Sequence, residues 1–178
     1  DIAANDVLGA INFQAPDEGT GTDAILVAGK IDVLSEGDFS SSSNASSMRF
    51  FTGNSAAAGT DGGSMILSST GNLTLKDLRT ADGSSPTITL QSGDTDIAAN
   101  DVLGTINFQA PDEGTGTDAI LVAAGIEAVS EGDFAADANA TKLSFKTAAS
   151  AAAAETMALS SGGNLTVAGT IVPTGAIT

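Results

Sequence analysis

The stretch Asp1–Ala28, DIAANDVLGAINFQAPDEGTGTDAILVA, occurs a second time at Asp96–Ala123. The two copies differ only at Ala10, which is replaced by threonine in the second copy. Self-similarity at a fixed spacing is typical of proteins that are built from repeated structural units. The sequence therefore predicts a tandem array, with 1–95 as a first complete β repeat and 96–178 as a second, partly truncated copy.

The similarity continues more loosely beyond this stretch. SEGDF at Ser35–Phe39 returns at Ser130–Phe134, and MILSSTGNLTL at Met65–Leu75 returns as MALSSGGNLTV at Met157–Val167. The second motif returns after 92 residues and not after 95, so the second copy has three fewer residues between the two motifs. Each repeat thus carries the same short motifs in the same order.

Alternating apolar residues predict β-strands within each repeat. Val7–Ala15 and Met48–Thr52 alternate with a period of two, as half-buried strands do. Asp23–Ser35 has the same spacing; its alanine and leucine also suit a helix, but its β-branched residues favour a strand. Met65–Leu75 has two short alternating runs around a glycine-containing turn, which is the pattern of a β-hairpin. We predict a further short strand at Pro86–Gln91.

The remaining segments are predicted as connections. Glu36–Ser47 is a Ser-rich loop by composition. The copies differ most at Gly53–Ser64 and its counterpart Ala148–Glu155, and the run Ala151–Ala154 permits no more than one turn of helix. Lys142–Thr147 is a strand whose lysines we interpret as solubility residues or partners of neighbouring acids. With no long helix predicted, the fold class is all-β, and a sandwich, a barrel and a repeating fibre shaft all fit.

Each repeat is poor in the large side chains that form a core. The chain has seven Phe, no Trp and no Tyr, against 21 Gly. Burying a large apolar side chain contributes roughly 1.5–3 kcal/mol, while ordering the backbone of one residue costs roughly 1–2 kcal/mol. We therefore predict a homotrimer, in which identical chains close one another's strand edges and combine their small cores around one axis. The return of the repeat at a spacing of 95 residues, nearly unchanged over its first 28, favours the elongated shaft among the three folds.

The net charge of −16 restricts the partners of this chain. Nucleic-acid binders need clustered Lys and Arg, and anionic membrane surfaces attract the same residues, so we expect neither partner. No apolar run of about 18 or more residues is present, so no membrane span is predicted. The chain has no Cys and no His, which excludes thiolate metal sites and the Ser/His/Asp and Cys/His forms of catalysis.

Carboxylates are the remaining candidates for chemistry. They are Asp17, Glu18, Asp23 and their copies Asp112, Glu113 and Asp118. A carboxylate pair can hydrolyse a glycosidic bond, and a cluster can bind a hard cation. No aromatic residue accompanies them to stack a sugar and no calcium-loop spacing is present, so we interpret them as solvated turns. Asp61–Gly63 and Asp82–Gly83 are predicted as turns in the same way. We assign no catalytic, cofactor-binding or metal-binding residue, and expect no enzymatic activity and no cofactor.

The order of the motifs is more specific than any one of them. The series consists of Asp6–Gly9, Ile11–Phe13, Gly21–Ile25, Ala140–Thr147, and Met65–Leu75 with its copy Met157–Val167. This series resembles the shaft repeats of bacteriophage tail fibres, especially those of marine and cyanobacterial phages. The resemblance implies a homotrimer wound into an elongated all-β shaft on the virion tail, outside the cell.

The function implied by this resemblance is mechanical: a shaft gives the fibre reach and stiffness for host attachment. A tip that would bind a host glycan or receptor is not recognisable in the sequence, nor is a self-cleaving C-terminal chaperone. Two alternatives remain at this point. One is a surface adhesin or stalk whose divergent loops, Gly53–Ser64 and Ala148–Glu155, bind glycans; the other is a tailspike-type glycosidase.

Overall fold

The computed structural model describes residues 1–16, 25–53, 64–79, 82–111, 114 and 116–172. The chain divides into two compact units, Asp1–Thr87 and Ile88–Thr178. Each unit contains one five-stranded antiparallel sheet, and the described residues include no α-helix. The predicted all-β fold class is therefore confirmed.

The first sheet is a meander in which the strands lie side by side in chain order. Its strands are β1 Val7–Gln14, β2 Val27–Ser35, β3 Ser46–Thr52, β4 Met65–Leu67 and β5 Leu73–Leu75. The strands predicted from the period of two are thus present, and β4 and β5 form the predicted hairpin, with Met65 opposite Leu75. Gly71 in the turn has a φ of 81°, a backbone angle that glycine adopts without strain.

The second sheet repeats this arrangement. Its strands are β6 Val102–Gln109, β7 Val122–Ser130, β8 Thr141–Thr147, β9 Ala154–Leu159 and β10 Leu165–Val167. Register is conserved between the copies: Ile31 lies opposite Phe50 in the first sheet, as Ile126 lies opposite Phe145 in the second. Because a shift of one residue would turn every side chain to the other face, the conserved register places corresponding residues of the two copies on the same face.

One segment takes one of the two forms predicted for it, and another differs from its prediction. Ala151–Ala153 is a loop and not a helical turn, and Ala154 begins β9, where it pairs with Thr147 after a bulge in the ladder. Pro86–Gln91 belongs to no strand, so that prediction was wrong. An alternating segment becomes a strand only when a neighbour accepts its hydrogen bonds, and the strand at this end of the first sheet, β5, is only three residues long.

Pro86–Gln91, which we call the linker, contains the boundary between the two units. The units divide at Thr87 and Ile88, eight residues before the predicted repeat boundary at 95/96. Leu90 lies against β6, because a Cβ built on Gly104 would be 2.7 Å from the Leu90 Cβ. The end of the first sequence repeat thus packs with the sheet of the second.

Candidate interaction surface

Each sheet has one face that carries no charge among its described residues. Ile31, Phe50 and Met65 lie opposite one another on adjacent strands, and alternate residues along each strand continue this surface. We call this surface the apolar face. In the first unit its large members are Ile11, Phe13, Ile31, Val33, Met48, Phe50, Met65, Leu67, Leu73 and Leu75.

The apolar face of the second unit has the same construction. Its members are Ile106, Phe108, Ile126, Ala128, Leu143, Phe145, Met157, Leu159, Leu165 and Val167. Relative to the first copy, only three of these ten positions carry a different residue type. The surface is therefore presented twice with nearly the same composition.

Many of these large apolar side chains are exposed to solvent. The exposed fraction is 60% for Ile11 and for Leu73, and 59% for Leu165. Among the described residues, the largest side chains that are fully buried are polar: Asp32, Ser35, Ser130 and Ser144. Apolar patches of this extent mark interaction sites on soluble proteins. The exposed apolar side chains make this face of each sheet the candidate interaction surface.

The opposite face of the first sheet is organised around Asp32. Its side chain is fully buried and accepts hydrogen bonds from Arg49 Nε and Nη2 at 2.7 Å each, while Lys30 Nζ lies 2.7 Å away. Both cations also lie about 5 Å from the centre of the Phe51 ring, within the range of a cation–π contact. Burial by itself would raise the pKa of Asp32, but the hydrogen bonds and charges of Arg49 and Lys30 outweigh it and lower the pKa.

The opposite face of the second sheet has different ion pairs. Lys146 donates to Glu127 at 2.8 Å, and Lys142 lies 2.7 Å from Glu155, whose pKa is lowered mainly by this contact. These lysines are therefore partners of neighbouring acids, one of the two roles predicted for them. Between the pairs lies the buried Ser144, whose hydroxyl is near enough to lower the pKa of Glu155 but forms no hydrogen bond of normal geometry.

The SEGDF motif joins the loops at one end of each sheet. The amide of Asp6 donates to Ser35 Oγ at 2.9 Å, and that hydroxyl donates in turn to the carbonyl of Ala3. Glu36 accepts the amide of Ser69 in the β4–β5 turn at 3.1 Å, and Asp38 accepts an amide of the N-terminal turn. This junction explains why the polar Ser35 is buried, and it gives the exposed Glu36 and Asp38 partners in neighbouring loops.

The second copy forms the same junction. Ser130 Oγ accepts the amide of Asp101 at 2.9 Å, and Glu131 accepts the amide of Ser161 at 2.9 Å. In both copies an asparagine in the N-terminal turn has a positive φ, 70° at Asn5 and 75° at Asn100, an angle that asparagine tolerates better than most residues. The sequence shows that SEGDF is repeated, but only the structure shows that it connects the loops at one end of the sheet.

Most of the candidate carboxylates lie outside the described residues. Asp17, Glu18, Asp23, Asp112 and Glu113 belong to this group, as do Asp61–Gly63 and part of Gly21–Ile25. Asp118 is described and lies 3.4 Å from the Thr117 hydroxyl, which donates to it. Asp82–Gly83 forms the predicted turn, with a φ of 81° at the glycine. Within the described part of the chain no three acidic residues are grouped to hold a metal ion.

Of the two divergent segments, only Ala148–Glu155 lies wholly within the described residues. Gly53–Ser64 lies almost entirely outside the described residues. A pocket of about 270 Å³ beside Ala148–Ala151 is lined by alanines, Leu121, Ser150 and Asp118. A second pocket, of about 320 Å³, contains Lys76 and Arg79, but a hydrogen bond from Arg79 holds Asp77 beside it and lowers the pKa of that carboxyl to about 2. Neither pocket has an aromatic lining residue.

Within the described residues, no helix has the length and apolar character needed to cross a membrane. No family model and no curated protein matches the sequence.

Two solved structures show partial similarity to this chain. The carboxy-terminal domain of the bacteriophage T5 L-shaped tail fibre is 15% identical with a TM-score of 0.35, over 93% of this chain and 80% of that one. The same domain with its intramolecular chaperone is 15% identical with a TM-score of 0.36, and this chain covers 61% of its length. Similarity at this level does not establish a shared family.

Proposed function

We propose that this chain is a structural segment in the shaft of a trimeric bacteriophage tail fibre, where it provides reach and stiffness for host attachment. The observation that carries the proposal is the uncharged, exposed apolar face that each unit presents. The ordered motif series, which resembles tail fibre shaft repeats, supports the same function. The partners are identical chains, the location is the virion outside the cell, and host contact belongs to a tip elsewhere in the fibre.

The amount of exposed surface supports a requirement for partner chains. The chain exposes 12451 Å². Two compact domains that shared this mass equally would expose roughly 9,500 Å² in total. The difference, roughly 3,000 Å², exceeds the roughly 800 Å² that each partner contributes to an ordinary protein interface. An obligate assembly of several chains is a natural way to cover a surface of this size.

A second copy of this chain can occupy the apolar face because that face carries none of the chain's charge. An acidic chain repels another copy of itself unless the contact excludes the charged groups. The apolar face meets this condition, since the acids and bases of the described strands lie on the opposite face.

The contact that we propose lies between sheet faces. Sequence reasoning placed it at strand edges, but both edges of each sheet have features that discourage edge pairing. β1 has register irregularities near both ends, and β5 has only three residues. Bulges and short edge strands are devices by which natural sheets avoid pairing with other chains. The face, by contrast, is broad and exposed.

Sedimentation equilibrium tests the proposal. We expect a species of three chains, roughly 52 kDa from 17.4 kDa each. Leu73→Asp should dissociate it, because the substitution places a charge on the apolar face, whereas Thr74→Asp changes the neighbouring exposed residue on the other face and should leave the trimer intact. A folded, cooperatively melting monomer, or equal effects of the two variants, would refute the proposal.

A further inference from the structure

The second sheet has an intramolecular contact that the first sheet lacks. Leu90 of the linker lies on Gly104 in β6, and its Cβ and carbonyl oxygen are 2.7 and 3.5 Å from where a Cβ on Gly104 would be. Gly104 and Ala128 are opposite one another on the apolar face, so the linker covers that face beside its edge strand. A glycine is required at this position because any larger residue would displace Leu90.

The corresponding site in the first sheet is empty. Gly9 corresponds to Gly104 in sequence and register, yet a Cβ at Gly9 would have nothing within 4 Å. Leu8 and Gly9 are exposed, while their counterparts Leu103 and Gly104 are half-buried. Because the residues are identical, the difference in exposure comes from the linker and not from the strand.

We propose that the β1 surface at Leu8 and Gly9, which we call the Gly9 site, binds the linker of another copy of this repeat. The ligand is an uncharged segment with apolar side chains at alternate positions, as at Ile88 and Leu90. The corresponding β6 site, which holds such a segment, provides the template. This contact joins one repeat to the next, and it requires no trimer.

The chemistry of the site restricts what it accepts. Gly9 provides room for the backbone-proximal part of a side chain, as Gly104 does for the Leu90 Cβ. The surrounding members of the apolar face carry no charge, so a charged residue in place of leucine would lose its hydration without gaining a partner. Val33 stands where the second copy has Ala128, which makes the Gly9 site slightly narrower.

The experiment places a copy of Ser84–Thr95 directly before Asp1, in the order in which these residues precede Asp96. Tethering gives the segment a high effective concentration, so weak binding becomes measurable. We expect hydrogen exchange in β1 to slow by about tenfold or more, which corresponds to about 1.4 kcal/mol. The same extension with aspartate at the position of Leu90 is the matched control and should have no effect.

Substitutions at the glycines complete the test. Gly9→Val should abolish the protection given by the extension, while Gly104→Val should leave it intact and expose the original linker. Unchanged exchange in β1, or protection that survives Gly9→Val, would overturn the inference. Each comparison is made between variants in the same oligomeric state, checked by sedimentation, so these outcomes are read independently of whether the chain forms a trimer.

Discussion

The two sheets have nearly the same apolar face and different opposite faces. The buried acid and three neighbouring positions change together, from Asp32, Lys30, Arg49 and Phe51 in the first copy to Glu127, Gly125, Ser144 and Lys146 in the second. The first copy collects two cations on one buried carboxylate, while the second distributes its charges over two separate pairs. This difference shows that the two copies keep the composition of the apolar face. On the opposite face the residues differ between the copies, but each charged side chain of the strands has a partner nearby.

The largest effect is expected where the first copy concentrates its charges. Arg49→Ala should lower the free energy of unfolding of the first unit by about 2–3 kcal/mol, because removing one partner leaves a buried carboxylate under-compensated. Because Lys30 remains 2.7 Å from Asp32, the loss of stability should be smaller than for a buried carboxylate with no cation beside it. Hydrogen exchange measured strand by strand gives this value, since β3 and β8 differ in sequence and are resolved separately.

The control for Arg49→Ala is Lys146→Ala in the second copy. The Lys146 and Glu127 side chains are 26% and 16% exposed, so water can replace part of the lost contact. The expected loss is about 1 kcal/mol or less. Equal losses in the two units would show that the concentration of charge on Asp32 has no special energetic role.

Lowering the pH should destabilise the first unit less than Arg49→Ala does. The pKa of Asp32 is lowered below its ordinary 3.8, so its contribution to stability is complete above pH 3.8 and is lost as the pH falls through the lower folded value. Protonation leaves the carboxyl able to hydrogen-bond, so the effect should be smaller than that of removing Arg49. Urea unfolding at pH 7 and near pH 3 measures it.

The matched variant for the acid experiment is Asp32→Asn, which removes this titration. The lowered pKa values of Asp77, Glu131 and Glu155 are common to both proteins and contribute to the acid loss that remains. Asp32→Asn should therefore lose less stability between the two pH values than the unchanged chain. An identical loss would exclude Asp32 as a source of the pH dependence.

Much of the fold could be predicted from local patterns. A period of two and a glycine-containing turn specify strands and a hairpin, because these preferences act over a few residues. Pro86–Gln91 shows the limit of that reasoning: its alternation is real, but no neighbouring strand pairs with it, and Leu90 packs on Gly104 instead. Whether an alternating segment pairs or packs depends on residues that are distant in sequence.

The same limit applies to the interaction surface. Alternation identified the apolar residues, and the low content of large side chains indicated that partners were needed. The pairing of Asp32 with Arg49 could not be predicted, since the two residues are 17 apart and meet only through the register of β2 and β3. The sequence shows that SEGDF repeats, but it does not show that the motif forms a junction. The contacts of Ser35 depend on a turn that precedes it by about 30 residues.

The smallest effect is expected at Ser144, the position that replaces Arg49 in the second copy. Its hydroxyl is buried without a well-formed hydrogen bond, and burying an unpaired polar group destabilises the folded state. Ser144→Ala removes the group and little volume, so we expect unchanged stability or a gain of up to about 1 kcal/mol in the second unit. Thr156→Val is a useful comparison, because that hydroxyl has partners at Thr147 and Phe145 and its loss should be destabilising. A clear loss from Ser144→Ala would instead show that its contact with Glu155 stabilises the second sheet, and that the exchange of arginine for serine there was compensated by a new interaction.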